Sequence, residues 1–152
     1  MSEWFRINNV NELDSPWLVV YPDRVLANIR LVKSKTGDTN RLRPHVKTHK
    51  YINITRLLLQ EGITRFKCAT IAEAEMLGMA GVPDVLLAYQ PVGPKIERLA
   101  DLVYEYPGTA YSCLIDSLPS AKAISDTFQR YKLRIPVYVD LNVGMNRRSS
   151  RC

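Results

Sequence analysis

The short basic segment at residues 43–50 concentrates the side chains of this sequence that could do chemistry. It contains His45 with Lys47, and His49 with Lys50, and so holds both histidines of the chain. A lysine can form a Schiff base with an aldehyde when burial or a neighbouring cation lowers its pKa. The two histidines and Lys50 are candidates for tuning Lys47 or for moving protons. The alternative interpretation is a basic surface loop, and the segment alone leaves both open.

The segment is predicted to begin as a strand. Pro44 disfavours helical backbone at Arg43, and residues 42–47 alternate between apolar and polar side chains. This alternation places His45 and Lys47 on one face, opposite the apolar residues, at the carboxyl end of the strand. On an extended segment, histidines four residues apart are not brought together as they are on a helix, so we do not predict that His45 and His49 form a metal site.

Strand signals alternate with helix signals along the whole chain. The predicted strands are residues 17–21, 42–47, 65–69, 85–89, 110–115 and 135–141, and the predicted helices are 23–35, 52–61, 72–80, 95–106 and 120–131. Thr70 and Glu73 have the spacing of a helix-capping box, and Gly62 and Gly81 follow helices as terminating glycines do. Such alternation predicts a parallel sheet with functional groups gathered at the carboxyl ends of its strands. Periodicity alone does not separate an open sheet from part of a barrel.

The octapeptide Arg-Pro-His-Val-Lys-Thr-His-Lys at residues 43–50 resembles the cofactor-lysine motif of the D-threonine aldolase and D-serine dehydratase family. That family belongs to the alanine-racemase-like, fold-type III enzymes that use pyridoxal 5′-phosphate (PLP), and its catalytic domain is a (β/α)8 barrel. Further segments fit in the expected order: residues 13–20, 24–29, 70–75 and 87–90, and a Gly-Met-x-Arg turn at 144–147. We therefore expect an α/β fold, an incomplete TIM-type barrel of about six βα units.

The resemblance also implies roles for particular residues. Lys47 would hold PLP covalently, and Arg147 would stabilise the phenolic oxygen of the cofactor with its guanidinium group. His45 and His49 would assist Lys47 or transfer protons. Tyr89 and Gln90, at the end of a predicted strand, are candidates for lining the cofactor pocket. In full-length relatives, a divalent metal is bound by a histidine and a cysteine of a carboxyl-terminal β domain, and we predict no metal ligands in this sequence.

The implied activity is that of a PLP-dependent D-amino-acid lyase resembling D-threonine aldolase, which cleaves a β-hydroxy-D-amino acid to glycine and an aldehyde. D-Serine dehydratase or racemase activity within the same family is an alternative, as is a non-catalytic PLP-binding protein. The implied partner is a small D-amino acid, and the full-length family is expected to form homodimers.

The chain of 152 residues is shorter than the roughly 250 residues of a complete barrel. We expect residues 1–147 to be the amino-terminal PLP-binding portion and residues 148–152 to be a divergent tail, with the carboxyl-terminal β domain absent. Such a portion is expected to be inactive alone. The alternative is a smaller open α/β sheet.

The net charge of +6 raises the possibility of a nucleic-acid partner. The basic residues are dispersed over predicted helix surfaces, and no basic strand with interleaved aromatic residues is present, so we predict none. No secretory signal and no apolar run of about 20 residues is visible, and we expect a cytoplasmic protein without a membrane segment. Cys68 and Cys113 lie in apolar strands and are predicted to be buried thiols.

Overall fold

The computed structural model describes residues 3–144, in which helices and parallel strands alternate. The helices are α1 (Pro22–Thr36), α2 (Ile52–Gln60), α3 (Ile71–Met79), α4 (Pro94–Glu105) and α5 (Leu118–Arg130). The strands are β1 (Arg65–Cys68), β2 (Asp84–Leu87), β3 (Ala110–Ile115) and β4 (Val137–Val139). They form one parallel sheet in the order β1-β2-β3-β4. This is the predicted α/β architecture, in the form of a partial TIM-type barrel.

One face of the sheet forms the core with the helices. Phe66, Val85 and Cys113 are fully buried in a cluster that includes Leu77 of α3 and Leu99 of α4. Within the described residues, β4 has a strand partner only on its β3 side, and all three of its residues are exposed. The sheet therefore ends at an edge strand whose apolar side chains are open to water.

The predicted number of six strands is wrong for the described residues, which contain four. Residues 17–21 form no strand, and Leu18 in that segment is 83% exposed. Residues 42–47 run beside β1 but make a single bridge, His45 with Lys67, supported by a hydrogen bond from Lys67 N to Pro44 O at 2.9 Å. Alternation indicates which side chains share a face, but a strand also needs a partner for its whole length.

Both predicted glycine helix ends are confirmed. Gly62 and Gly81 have φ angles of 82° and 72°, and the next residue in each case bonds back to the preceding helix. These are the bonds that satisfy the last carbonyl groups of a helix, and the left-handed backbone they require favours glycine.

The amino-terminal edge of the sheet is tied together by a forked ion pair. The guanidinium of Arg43 donates to the two carboxylate oxygens of Asp84 at 2.6 and 2.7 Å, and it also donates to the Phe66 carbonyl. This bidentate geometry fixes the start of the Lys47 segment against β1 and β2. Arg43 therefore has a structural role at the end of the sheet opposite to the one that Lys47 occupies.

The predicted burial of both strand cysteines is confirmed, since Cys68 and Cys113 have no exposed surface. Burial raises the pKa of each thiol to about 12. A thiol in that state is not a nucleophile at neutral pH, so neither cysteine is a candidate for the site. Among the described residues, no helix is long and apolar enough to cross a bilayer.

Candidate active site

Lys47 lies in a 3₁₀ turn, Val46–Thr48, and not in the strand that its sequence predicts. The side chain of His45 causes the change, because its Nδ1 accepts a hydrogen bond from Lys47 N at 3.2 Å. The Thr48 hydroxyl adds a bond to the His45 carbonyl. Such local bonds compete with strand pairing and close the backbone into a turn. The last two residues of the predicted strand still lie on opposite sides as the alternation predicts, because Val46 is fully buried and Lys47 is exposed.

The register of the sheet places Lys47 at the carboxyl ends of the strands. His45 is paired with Lys67, which is the last residue but one of β1 and is itself aligned with Leu86 of β2. Lys47 therefore lies just past the end of β1. This is the edge of a parallel sheet at which catalytic groups gather. Among the described residues, no ion pair involves Lys47.

A buried carboxylate joins the Lys47 segment to the next βα unit. Glu73, in the first turn of α3, is only 5% exposed. One of its oxygens accepts a hydrogen bond from Ala69 N at 2.7 Å, and the other lies 3.6 Å from the ammonium nitrogen of Lys50. The predicted cap is also present, because Thr70 Oγ1 accepts from Glu73 N at 3.1 Å. Sequence reasoning identified Glu73 as a capping residue only, and its contact with Lys50 was missed.

His49, two residues after Lys47, is half-buried. Its Nδ1 accepts a hydrogen bond from Tyr51 N at 3.1 Å, which assigns the proton of the neutral ring to Nε2. Burial lowers the pKa of His49 below its ordinary value of 6.5, and the negative charge of Glu73 opposes that effect. His49 is thus held as a neutral imidazole whose Nε2–H can donate a hydrogen bond.

The two remaining candidates lie after β2 and have different surroundings. The side-chain oxygen of Gln90 accepts from Asp116 N at 2.8 Å, which joins the ends of β2 and β3 at the edge that carries Lys47. The Tyr89 ring lies 5.0 Å from the ammonium of Lys95 and lines a cavity of about 160 Å³ between α3 and α4. Gln90 and Tyr89 therefore both lie at the strand-end edge that carries Lys47, since the cavity beside Tyr89 is also lined by Ala69 and Thr70, just after β1.

Comparison with known proteins decides the family. The model of the alanine racemase N-terminal domain matches residues 20–149. The chain belongs to this family. It is the group of fold-type III PLP enzymes that the Lys47 segment resembles.

Two curated relatives show what the family includes. A D-threo-3-hydroxyaspartate dehydratase from Delftia sp. (strain HT23) is 27% identical over 136 residues, which are 89% of this chain and 35% of the relative. A D-threonine aldolase from Arthrobacter sp. is 28% identical over 137 residues, again 89% of this chain and 35% of the relative. The chain therefore spans about a third of the length of the curated relatives it matches.

A solved structure supports the same assignment of the fold. The D-threonine aldolase from Filomicrobium marinum superposes with a TM-score of 0.81 at 28% identity, covering 92% of this chain and 38% of that one. The partial barrel described above is therefore the alanine racemase N-terminal fold as far as this chain extends.

The roles assigned to Lys47, His45 and His49 remain predictions, as do those of Tyr89 and Gln90 in binding the cofactor. Arg147 lies outside the described residues, so its role also stays a prediction. Within residues 3–144, no three His, Cys, Asp or Glu side chains form a group that could hold a metal ion.

The electrostatics of His49 can be measured directly, because the chain has only two histidines. In an NMR titration we expect one imidazole to titrate below 6.5, and we expect Glu73→Gln to lower that pKa further by removing a negative charge. Since the folded state disfavours protonated His49, its contribution to stability is present above about pH 6.5 and is lost as the pH falls towards the folded pKa. An unchanged or raised pKa in Glu73→Gln would contradict this electrostatic assignment.

Proposed function

We propose that this chain is the part of a PLP-dependent D-amino-acid lyase that carries the cofactor lysine. The observation that carries the proposal is Lys47: an exposed amine, outside the ion pairs of the described residues, at the carboxyl edge of a parallel sheet. The favoured reaction is that of D-threonine aldolase, the cleavage of a β-hydroxy-D-amino acid to glycine and an aldehyde. The dehydratase relative favours the loss of the β-hydroxyl group as the second candidate.

The residues around Lys47 fit an aldehyde cofactor, because an accessible primary amine is the group that such a cofactor requires. When bound, PLP supplies an electron sink for the bond that breaks at the α-carbon of the substrate. Lys47 Nζ would hold the cofactor, and its amine could also carry a proton. Gln90 and, outside the described residues, Arg147 would complete the surroundings of the cofactor.

The histidines would act on either side of this lysine. The bond from Lys47 N to His45 Nδ1 fixes the backbone from which the Lys47 side chain extends. His49 would donate a hydrogen bond from Nε2–H, since its Nδ1 accepts one from Tyr51 N. Both roles rest on hydrogen bonds made within residues 45–51.

Borohydride trapping tests the proposal. The 152-residue protein is incubated with PLP, reduced with borohydride, digested and mapped by mass spectrometry. We expect the reduced adduct on Lys47. An adduct on Lys50 with Lys47 unmodified, or no specific adduct at all, would overturn the assignment. A protein denatured before PLP is added serves as the control for non-specific lysine labelling.

Turnover separates the two candidate reactions. A longer protein that contains this segment is given D-threonine or D-threo-3-hydroxyaspartate, with L-threonine as the control substrate. Glycine and an aldehyde indicate aldol cleavage, whereas a keto acid and ammonia indicate dehydration. We expect little or no turnover from the 152-residue chain alone, because within residues 3–144 β4 is paired on one side only and the barrel is not closed.

A further inference from the structure

The segment at residues 43–50 holds two lysines three residues apart, but their surroundings differ. Lys47 is in the 3₁₀ turn and belongs to no ion pair of the described residues, whereas Lys50 Nζ lies 3.6 Å from a Glu73 oxygen. Lys50 has a positive φ of 46°, a backbone conformation uncommon for any residue but glycine or asparagine. Its amide also bonds back to the Val46 carbonyl at 2.8 Å, which closes the turn. The two amines therefore differ in their contacts: among the described residues, Lys50 forms an ion pair and Lys47 does not.

The carboxylate that pairs with Lys50 is held firmly. The side chain of Glu73 is 6% exposed, against 65% for Lys50. Its second oxygen accepts from Ala69 N at 2.7 Å, and its own amide donates to Thr70 Oγ1. A carboxylate fixed by hydrogen bonds at the start of a helix is a rigid anchor, since the helix dipole also favours a negative charge there. The flexible partner is Lys50, and the ion pair restricts its position.

From this arrangement we infer that Glu73 is a positioning residue, which holds Lys50 aside so that Lys47 is the amine presented to an aldehyde. The inference rests on the proposed function, since it concerns the same lysine. It adds that the ion pair with Glu73 of α3, and not the sequence of the segment, determines which of the two lysines reacts with the aldehyde. Glu73 would act through Lys50, without touching the reacting atoms.

Mapping of the borohydride-reduced adduct, with its rate of formation, tests this inference in the 152-residue protein. Glu73→Gln removes the charge but keeps an oxygen that can accept from Ala69 N. We expect the rate at Lys47 to fall and the share of adduct on Lys50 to rise by roughly two- to fivefold, the size that a half-exposed ion pair supports. Glu75→Gln, on the same helix but outside the ion pairs of the described residues, is the matched control and should behave as wild type.

Variants of Lys50 show whether Glu73 acts through that residue. Lys50→Gln removes the competing amine, so labelling of Lys47 should keep the wild-type rate. In that background Glu73→Gln should no longer slow labelling of Lys47, because no second amine remains to be released. A double variant that labels Lys47 as slowly as Glu73→Gln alone would overturn the inference.

The outcomes separate this inference from the proposed function. If the wild-type protein gives no adduct on Lys47, the proposed function fails. If the wild-type protein labels Lys47 but Glu73→Gln matches Glu75→Gln, only the positioning role fails. If Glu73→Gln does not fold, as judged by circular dichroism, the wild-type protein decides the question at low and at high salt. Salt screens the ion pair of the exposed Lys50 and should raise the share of adduct on Lys50, and an unchanged share would overturn the inference.

Discussion

Lys47→Arg is expected to abolish the adduct that borohydride traps with PLP, and to leave the melting temperature nearly unchanged. Arginine keeps the positive charge and the length of the side chain, but its guanidinium is not a nucleophile at neutral pH. The side chain of Lys47 is exposed, and exposed replacements usually change the free energy of unfolding by less than about 0.5 kcal/mol. The change therefore removes the chemistry without disturbing the fold.

The matched control is Lys50→Arg, the same substitution three residues later in the same segment. It should retain the adduct on Lys47 with the wild-type stoichiometry. In a longer protein with turnover, Lys47→Arg should lower kcat to the background of the uncatalysed reaction, since a guanidinium group cannot replace the amine. A Lys47→Arg protein that still forms the full adduct would show that the proposed lysine is wrong.

The sequence predicted the helices well because apolar periodicity and end signals agree within each one. All five observed helices begin and end within two residues of their predicted bounds, and β3 was predicted without error. The failures were the segments at residues 17–21 and 42–47. Residues 17–21 are a continuous apolar run and residues 42–47 alternate, but strand formation also depends on pairing with a distant segment, and a local pattern does not contain that information.

The site shows the same division between local and distant information. Lys47, His45 and His49 could be selected because their residue types and spacing are unusual in one short segment. The turn around Lys47 was missed because it depends on which bond the His45 ring makes. Glu73 was missed because a glutamate at that place in a helix is fully explained as a cap, and its contact with Lys50 spans 23 positions of the chain.

Gly78 offers a second large effect, on stability. It is a buried helical residue of α3, and a Cβ placed there would lie 2.8 and 2.9 Å from ring carbons of Tyr106 and closer still to the Tyr111 hydroxyl. Real Cβ atoms do not approach other heavy atoms so closely, so a ring or the helix must shift. Tyr111 is itself 3% exposed, and its hydroxyl donates to the Ala74 carbonyl at 3.2 Å, which leaves it little room.

Two effects of opposite sign compete in Gly78→Ala. Helix propensity alone predicts that alanine stabilises the helix by about 1 kcal/mol. Overpacking of a filled core costs about 1–3 kcal/mol. Because both tyrosines would have to give way, we expect the steric cost to prevail, and Gly78→Ala to lower the free energy of unfolding by roughly 1–2 kcal/mol. Gly78→Val should lower it further, since its branched side chain needs more space.

Urea denaturation measures these changes, and Gly108→Ala is the matched control. A Cβ at Gly108 meets no atom within 4 Å, so that substitution should be neutral or slightly stabilising. Tyr111→Phe removes the nearest obstacle, and the cost of Gly78→Ala should therefore be smaller in the Tyr111→Phe background than in the wild type. A Gly78→Ala protein more stable than the wild type would mean that helix propensity decides at this position, and that α3 does not approach Tyr106 and Tyr111 as closely as described.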